Sequence, residues 1–556
     1  MIMGTERAAQ NRSLAGGRGT RTRVAAALLW MCVVIAVGVI LFGLLTRGAR
    51  QGPASVPAGP ASRIVYSLWV RSDVTPARLV VSIQIPVANS DTSVSVQMPV
   101  WSPGDYHVQN HGRFVEGFRA VGLTGSRQTG ELRVHASGAN TWQIEPRGSS
   151  SILVTYTVPQ TPPGIFSDNV TLAPHYAFVN GPSALAYVEG HKDLRTSLYV
   201  YLPANWHAET ALPPIAPAEA GVAAFSAPDY DTLADSPIVV ADPQGMVVRE
   251  FEVDHIPHRA VFFHNSLAAA DADAFVPLLR QVAQAENDIM GGPPYARYDF
   301  LFDVGGRGGG LEHLNSARLL LWPGENPRNF NSFVAHEFFH LWNVKRIRPA
   351  VLGPFDYIHP PKTRNLWFAE GVTEYYAHIA VRRAGLVTEA EFLHHWQSAI
   401  GRMQANPARK RVSADEASLR VWESGNSEGY DGLSYYDKGE LIGLCLDLKI
   451  RHLTNSAKSL DDVMRLLLQR HNPPKPGYGE DEIRATVSEV AGQDLSAFYD
   501  LLARSTDELP FSECLGYAGL DSALRPLPNA SPEDAALRAK WSAGVTTPAA
   551  AKADNH

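Results

Sequence analysis

The sequence predicts a multidomain α+β protein, with an N-terminal β-sandwich-like domain, a mixed α/β domain and a C-terminal helical domain. Three observations favour this order. Short segments in 63–250 alternate apolar and polar side chains. Residues 251–385 mix helix and strand patterns, and residues 386–521 carry mainly helix patterns. A chain of 556 residues is long enough for several such domains.

The prediction of a β domain depends on four segments that alternate apolar and polar residues as half-buried strands do. They are 79–85, 93–98, 151–157 and 197–202. Glycine, proline, asparagine and aspartate fall between them, as turns require. Two packed sheets are the usual arrangement for such strands, so we expect a sandwich-like domain.

The N-terminal segment has the pattern of a membrane anchor. Residues 1–23 carry five arginines against one acid, and residues 24–45 carry no charge. An apolar run of this length spans a bilayer, and the arginines favour a cytoplasmic N-terminus. The sequence therefore predicts a single-pass transmembrane anchor, a linker over 46–62 and a main body in a periplasm or extracellular space. A cleaved signal peptide is the alternative.

Composition excludes nucleic-acid binding and a disulfide scaffold. The net charge is −7, so no nucleic-acid partner is expected. Three cysteines, Cys32, Cys445 and Cys514, are too few for a disulfide framework. Whether Cys445 and Cys514 pair stays open, as does the oligomeric state. Residues 522–556 are rich in alanine, proline and charge, which predicts a disordered tail.

The strongest chemical signal lies around residue 336. His336 and His340 are four residues apart, so on a helix they lie on one face and can bind one metal ion. Glu337 follows the first histidine and can act as a general base toward water. This HExxH pattern is typical of zinc peptidases, which predicts Zn²⁺ as the cofactor, with one ion per chain.

A predicted third ligand, Glu370, lies 30 residues after His340, on a second helix that begins near Asn365. Catalytic zinc takes three protein ligands and keeps one open position. Glu374 lies on the same helix face and is predicted to accept the second ring N–H of His336 or His340. An ordinary solvated carboxylate is the alternative for Glu374.

Local patterns predict several other elements. We expect a helix over 268–290, a strand over 298–304 and a capping box at Thr388 to Glu391. Lys345 and the arginines that follow it trail the metal-binding helix, so we expect them to complement its C-terminal dipole.

Three motifs together resemble the glycyl aminopeptidase family of zinc metallopeptidases. They are HEFFHLWNVKRIRP at 336–349, LWFAEGVTEYY at 366–376 and SYYDKGELIGLCLDLKIR at 434–451. The likeness covers roughly residues 64–521 and implies a thermolysin-like α/β catalytic domain. Many members of the family continue into a PDZ domain, but no such pattern follows here, so none is expected.

The resemblance also implies roles for residues outside the metal site. A glycine-rich edge strand ending in glutamate lines the cleft in related aminopeptidases, and Gly310 and Glu312 match it. Glu312 is then expected to bind the free amino group of the substrate. Tyr436, in a Tyr-x-Lys-Gly element, is expected to donate to the developing oxyanion, with Tyr435 as the alternate.

Taken together, the sequence predicts a membrane-anchored zinc aminopeptidase that hydrolyses the N-terminal bond of peptides. The resemblance implies a preference for a first residue of Gly or Ala. Two alternatives stay open. One is a zinc endopeptidase in which Glu312 binds no amine. The other is a non-catalytic tethered binding protein, which Glu337 argues against because binding needs no general base.

Overall fold

Strands dominate the chain up to residue 264. The computed structural model describes residues 63–543, except 73, 89, 163–168, 216–220, 265–268, 306–307 and 426. The strands in this first part are β1 (Ile64–Arg71), β2 (Arg78–Pro86), β3 (Val94–Gln97), β4 (Glu116–Thr124), β5 (Arg127–Glu131), β6 (Val134–Ala136), β7 (Thr141–Ile144), β8 (Ser151–Pro159), β9 (Val170–Leu172), β10 (Tyr176–Val179), β11 (Tyr187–Val188), β12 (Thr196–Tyr201), β13 (His207–Glu209), β14 (Val222–Ala227), β15 (Ile238–Ala241), β16 (Met246–Val253) and β17 (Ile256–His264).

Three sheets form the described part of the β domain. A seven-stranded sheet has the order β14-β12-β1-β2-β8-β4-β5, and two four-stranded sheets have the orders β13-β15-β10-β9 and β11-β3-β7-β6. Every second residue of β1 is buried because successive side chains of a strand point to opposite faces. The β-sandwich-like prediction is confirmed, and the four predicted strands correspond to β2, β3, β8 and β12.

A five-stranded sheet, ordered β16-β17-β18-β20-β19, follows the β domain. Its remaining strands are β18 (Tyr298–Val304), β19 (Gly310–His313) and β20 (Ser316–Leu321). β17, β18 and β20 run parallel, whereas β19 pairs antiparallel with β20 and forms the edge. All residues of β18, β19 and β20 are buried, as expected for a sheet covered on both faces. The domain boundary after residue 250 stays a prediction, and β16 crosses it.

Helices dominate from residue 331 onward. Over the described residues the helices are α1 (Gly181–Ala184), α2 (Tyr230–Ala234), α3 (Ala269–Met290), α4 (Asn331–Phe339), α5 (Val372–Arg383), α6 (Glu389–Ala405), α7 (Ala414–Leu419), α8 (Tyr435–Leu453), α9 (Leu460–His471), α10 (Glu482–Ala491), α11 (Ser496–Tyr499), α12 (Phe511–Tyr517) and α13 (Pro532–Ala543). A two-stranded hairpin of β21 (Gly429–Tyr430) and β22 (Leu433–Ser434) precedes α8. The predicted capping box at Thr388 is present at the start of α6.

The predicted disordered tail is wrong for part of its length. Residues 532–543 form α13, in which Leu537 and Trp541 are buried. The Trp541 ring packs 4.9 Å from the ring of Phe392, measured between centroids. Composition predicted disorder because the segment is rich in alanine, proline and charge, but Leu537 and Trp541 lie four residues apart and form one apolar face.

The predicted membrane anchor is contradicted. In the part of the chain that the structure describes, no helix is long and apolar enough to cross a membrane. Residues 1–62, which include the predicted span 24–45, lie outside the described residues, as does Cys32. The finding that no described helix can cross a membrane corrects the prediction of a single-pass protein with an outward-facing body. Cys445 and Cys514 are both buried free thiols.

Candidate active site

His336 and His340 direct one ring nitrogen each to the same point. Their Nε2 atoms are 3.0 Å apart. The His336 Nδ1 donates to Glu374 Oε2 at 2.7 Å, and the His340 Nδ1 donates to the carbonyl oxygen of Asn343 at 2.7 Å. A carboxylate and a carbonyl can only accept, so each Nδ1 is assigned a proton. In the neutral rings, each Nε2 then offers a lone pair.

Glu370 brings a carboxylate to these two nitrogens. Its Oε2 lies 3.1 Å from His340 Nε2 and 3.8 Å from His336 Nε2. Glu370 belongs to a π-helical turn, Trp367–Gly371, directly before α5. Such turns are rare and frequently occur at functional sites. The Asn343 side chain holds this turn by donating to the carbonyl oxygen of Phe368 at 2.7 Å.

The three side chains fit a divalent metal ion. The ligand atoms of His336, His340 and Glu370 all lie within 4.8 Å of one another, and all three residues are buried. Glu370 Oε1 is buried and has no hydrogen-bond partner among the described residues, which leaves its lone pairs for a cation. Two imidazole nitrogens and one glutamate oxygen are a donor set that zinc takes in hydrolytic enzymes.

The carboxylates around the histidines favour a positive charge at this point. Burial lowers the pKa of His336, but Glu370 and Glu374 outweigh it and hold that pKa well above its usual value. Burial raises the pKa of Glu370, but His340 and His336 outweigh it and bring that pKa to about 2. Glu370 is thus ionised at neutral pH, and either a proton or a bound cation supplies the balancing charge.

Glu337 lies against β19, where Gly310 makes room for it. A Cβ atom on Gly310 would lie 2.3 Å from Glu337 Oε1, so any side chain there would displace the carboxylate. Burial raises the pKa of Glu337 to about 7. Its Oε2 is buried and accepts no hydrogen bond from the described residues. The role predicted for Gly310 in binding substrate stays a prediction.

Glu312 reaches the same place from β19. Its carboxylate offers an atom within 4.8 Å of ligand atoms from both Glu337 and His340. Its Oε1 lies 3.5 Å from the Lys345 Nζ, which in turn lies 3.1 Å from Asp235 Oδ1. Lys345, expected to complement a helix dipole, instead forms ion pairs with two buried carboxylates. The sequence carries no signal of this contact, because Asp235 is 110 residues away along the chain.

The structure distinguishes Tyr436 from Tyr435. Ser434 caps α8 by accepting from the backbone N–H groups of Tyr436 and Asp437, which fixes where the helix begins. The Tyr436 ring lies 6.0 Å from the His336 ring between centroids. Tyr435 is fully buried, and its hydroxyl donates to the carbonyl oxygen of Ser427. Tyr436 is therefore the tyrosine that faces the histidines.

Glu374 lies where the sequence predicted a carboxylate that orients one of the metal-binding histidines. Its Oε2 holds His336, as described above, and its Oε1 lies 3.2 Å from His378 Nε2. His340 uses a backbone carbonyl instead, so Glu374 serves one of the two predicted histidines.

One cavity of about 210 Å³ joins these side chains. Gly104 and Glu428 also line it, and neither could be predicted from the sequence because they come from distant parts of the chain. A Cβ atom on Gly104 would lie 2.7 Å from the Glu312 carboxylate oxygens, so the β domain directly limits the space there. The lining residues are Gly104, Gly309, Gly310, Leu311, Glu312, Phe333, His336, Glu337, His340, Glu370, Glu374, Glu428 and Tyr436.

Two family models match the chain. Residues 71–242 match the Peptidase M61 N-terminal domain, and residues 329–442 match M61 glycyl aminopeptidase. Together they span just over half of the chain. Among curated proteins, none matches.

Solved structures of an aminopeptidase N family protein and of M1 zinc metallopeptidases have a similar fold. An aminopeptidase N family protein from Idiomarina loihiensis is 26% identical, with a TM-score of 0.73 over 82% of this chain and 78% of that one. An M1 zinc metallopeptidase from Deinococcus radiodurans is 11% identical, with a TM-score of 0.52 over 84% of this chain and 96% of its own. A mutant two-domain M1 zinc metallopeptidase bound to L-tryptophan is 12% identical, with a TM-score of 0.51 over 81% and 96% of the two chains.

Proposed function

We propose that this chain, which belongs to the M61 glycyl aminopeptidase family, releases the first residue of peptides in the cavity around His336. The family and its structural neighbours make it a zinc metallo-aminopeptidase. One observation carries the proposal. Three metal-ligand atoms converge in a cavity whose lining also includes the carboxylates of Glu337 and Glu312. Hydrolysis of an N-terminal bond needs a metal, a base and an anchor for the amine, and this cavity offers side chains for each.

His336, His340 and Glu370 would hold the zinc ion. Zinc bound there supplies a Lewis acid that polarises the scissile carbonyl and increases the acidity of water. Glu374 keeps the His336 ring in place by accepting from its Nδ1. The stoichiometry of one zinc ion at these three residues is part of the proposal.

Glu337 acts as the general base. It takes a proton from the attacking water as the new C–O bond forms, and it gives that proton to the leaving nitrogen as the C–N bond breaks. Tyr436 donates a hydrogen bond to the carbonyl oxygen as this oxygen gains negative charge. Both side chains line the same cavity, which supports their action on one bond.

Glu312 binds the substrate ammonium group. Its buried Oε1 has no hydrogen-bond partner among the described residues, although Lys345 lies at ion-pair distance. An ammonium group held there would fix which peptide bond meets Glu337.

The first residue of the substrate is small, Gly or Ala. Beyond Glu312, between Trp101, Gly104 and Phe355, the free space is about 10 Å³. That is roughly the room of one water molecule. A large side chain directed there would collide with Trp101 and Phe355, which are both buried.

Paired peptides test this function. The purified full chain should cleave Gly-initiated and Ala-initiated reporter peptides, and it should leave their N-acetylated forms intact. Glu337→Gln should keep zinc but lose activity, because only the base is removed. Equal cleavage of free and acetylated peptides would favour the endopeptidase, and inactivity of the zinc-loaded chain toward all peptides would favour a binding protein.

A further inference from the structure

A second group of two histidines and a glutamate lies on the opposite side of Glu374 from His336. His378 lies on α5, His395 on α6 and Glu440 on α8. Their ligand atoms all lie within 4.8 Å of one another. None of the three has a part in the reaction proposed above, and we call them the second histidine cluster.

The two imidazoles of this cluster face one carboxylate oxygen. His395 Nε2 forms a short hydrogen bond with Glu440 Oε1, and His378 Nε2 lies 4.0 Å from the same oxygen. The rings are stacked, with centroids 3.3 Å apart. Two donors on one tetrahedral zinc ion are about 3.4 Å apart. Since the three donor atoms already lie within 4.8 Å of one another, small side-chain rotations would bring them onto one ion.

We propose that His378, His395 and Glu440 form a second site, for a divalent transition-metal ion of the zinc class. Imidazole nitrogen and carboxylate oxygen are donors that suit such ions. The donor set equals that of the first site, but it is built from three separate helices. Three protein ligands leave a position for water.

The charge around the second histidine cluster favours a cation. Glu440 is buried, with a side chain 2% exposed. Over the described residues, the ion pairs of Glu440 and Glu374 are with histidines, and neither carboxylate pairs with a lysine or arginine. When these histidines are neutral, a divalent ion would compensate buried negative charge that no fixed cation balances.

The second histidine cluster is also more accessible than the first site. The side chains of His378 and His395 are 15% and 20% exposed. Those of His336 and His340 are 9% and 2% exposed. An ion can therefore enter and leave the second site without passing through the cavity of the first.

Glu374 connects the two sites. Its Oε1 lies 3.2 Å from His378 Nε2, and its Oε2 accepts from His336 Nδ1 at 2.7 Å. A metal ion on His378 Nε2 would take that nitrogen from Glu374. The second ion would thus alter the carboxylate that orients His336, which gives free zinc a route to influence the first site.

Metal titration of the full chain tests this proposal. The protein is freed of metal with a chelator and then titrated with Zn²⁺, and separately with Co²⁺, whose visible absorption reports its ligands. The wild type should bind a second, saturable ion after the first. His395→Ala and Glu440→Gln should lose the second ion and keep the first. His394→Ala, which removes an exposed histidine beside His395, is the matched control and should keep both.

The outcomes separate this site from the first. Retention of the first ion in His395→Ala shows that the variant is folded. His340→Ala should lose the first ion and keep the second, so a wrong first-site assignment is recognised independently. A wild type that saturates at one ion overturns the proposal, and the cluster would then be a hydrogen-bonded network alone. Equal metal content in the wild type, His395→Ala and Glu440→Gln also overturns it.

Discussion

Glu374 fixes the orientation of His336 from outside the metal-ligand set. Its Oε2 accepts from His336 Nδ1 at 2.7 Å, so the ring can neither flip nor rotate without losing that bond. A carboxylate in this position also increases the basicity of the imidazole that it holds. The strength of the metal site therefore depends on a residue that does not touch the metal.

Replacing Glu374 with Gln should weaken zinc binding by about 10- to 100-fold. The amide oxygen can still accept from His336, but the negative charge is lost. Competition with a chelator at known free zinc measures the change in affinity. Glu131→Gln, an exposed carboxylate in the β domain, is the control and should bind zinc as the wild type does. Unchanged affinity in Glu374→Gln would show that the negative charge of Glu374 does not strengthen the metal site.

Glu312→Gln tests the amine anchor. A desolvated, charge-assisted contact is worth roughly 1.5–3 kcal/mol. The variant should therefore lose about ten- to more than hundredfold in kcat/KM on free-amine peptides. Zinc content should stay the same, and Lys345 keeps Asp235 as a partner. Wild-type efficiency in this variant would contradict the anchor role.

The residues that could be predicted are those whose contacts follow from local spacing. His336 and His340 follow from helical spacing and Glu370 from the three-ligand requirement of catalytic zinc, and the structure brings them together with Glu374. The ion pair of Glu312 with Lys345 depends on how β19 and the segment after α4 meet, which no periodicity encodes. Gly104 is harder still, because its contact with Glu312 joins two domains.

At the scale of elements, α8 packs on the π-helical turn through two glycines. A Cβ atom on Gly439 would lie 2.3 Å from the carbonyl oxygen of Trp367 and 2.9 Å from the Cα of Gly371. The backbones therefore approach more closely than any side chain allows. This contact sets the position of Tyr436, three residues earlier on α8, relative to Glu370.

Gly439→Ala should destabilise the protein by about 1–3 kcal/mol, because the added methyl group overpacks a contact between two backbones. Denaturant unfolding monitored by tryptophan fluorescence measures the free energy. Gly401→Ala, within α6 and with no atom within 4 Å of the added Cβ, is the matched control. It should stabilise by about 0.5–1 kcal/mol through helix propensity. Similar effects of the two substitutions would contradict the close packing.

The π-helical turn itself could not be predicted. The sequence places a helix start near Asn365, whereas α5 begins at Val372 after the turn Trp367–Gly371. One extra residue per turn leaves the apolar pattern almost unchanged. Tertiary contacts hold the turn, since Trp367 donates from its backbone to Ser418 Oγ at 2.9 Å and from its ring to Asp415 Oδ1 at 3.0 Å.

At the scale of the whole molecule, the helical part extends past the end that the sequence predicted. Composition predicted a disordered tail over 522–556 because composition reports only the average hydrophobicity of a segment. α13 needs only one apolar face, and Trp541 supplies most of it. The Trp541 Nε1 also donates to the Tyr375 hydroxyl at 3.1 Å, and that hydroxyl donates to Asp447 Oδ2 at 2.6 Å. The segment thereby connects to α5, which follows the metal-site turn, and to α8.

Trp541→Ala should destabilise the full chain by about 3–5 kcal/mol, as expected for removing a large buried aromatic side chain. The loss includes its ring contacts with Phe392 and Trp396 and the hydrogen bond to Tyr375. The Tm should fall, while kcat/KM per folded molecule stays near the wild-type value, because Trp541 does not line the cavity. Trp322→Ala, at a tryptophan that is 51% exposed, should change the free energy of unfolding by no more than about 0.5 kcal/mol. If both variants unfold at the wild-type midpoint, the buried Trp541 side chain contributes nothing to stability.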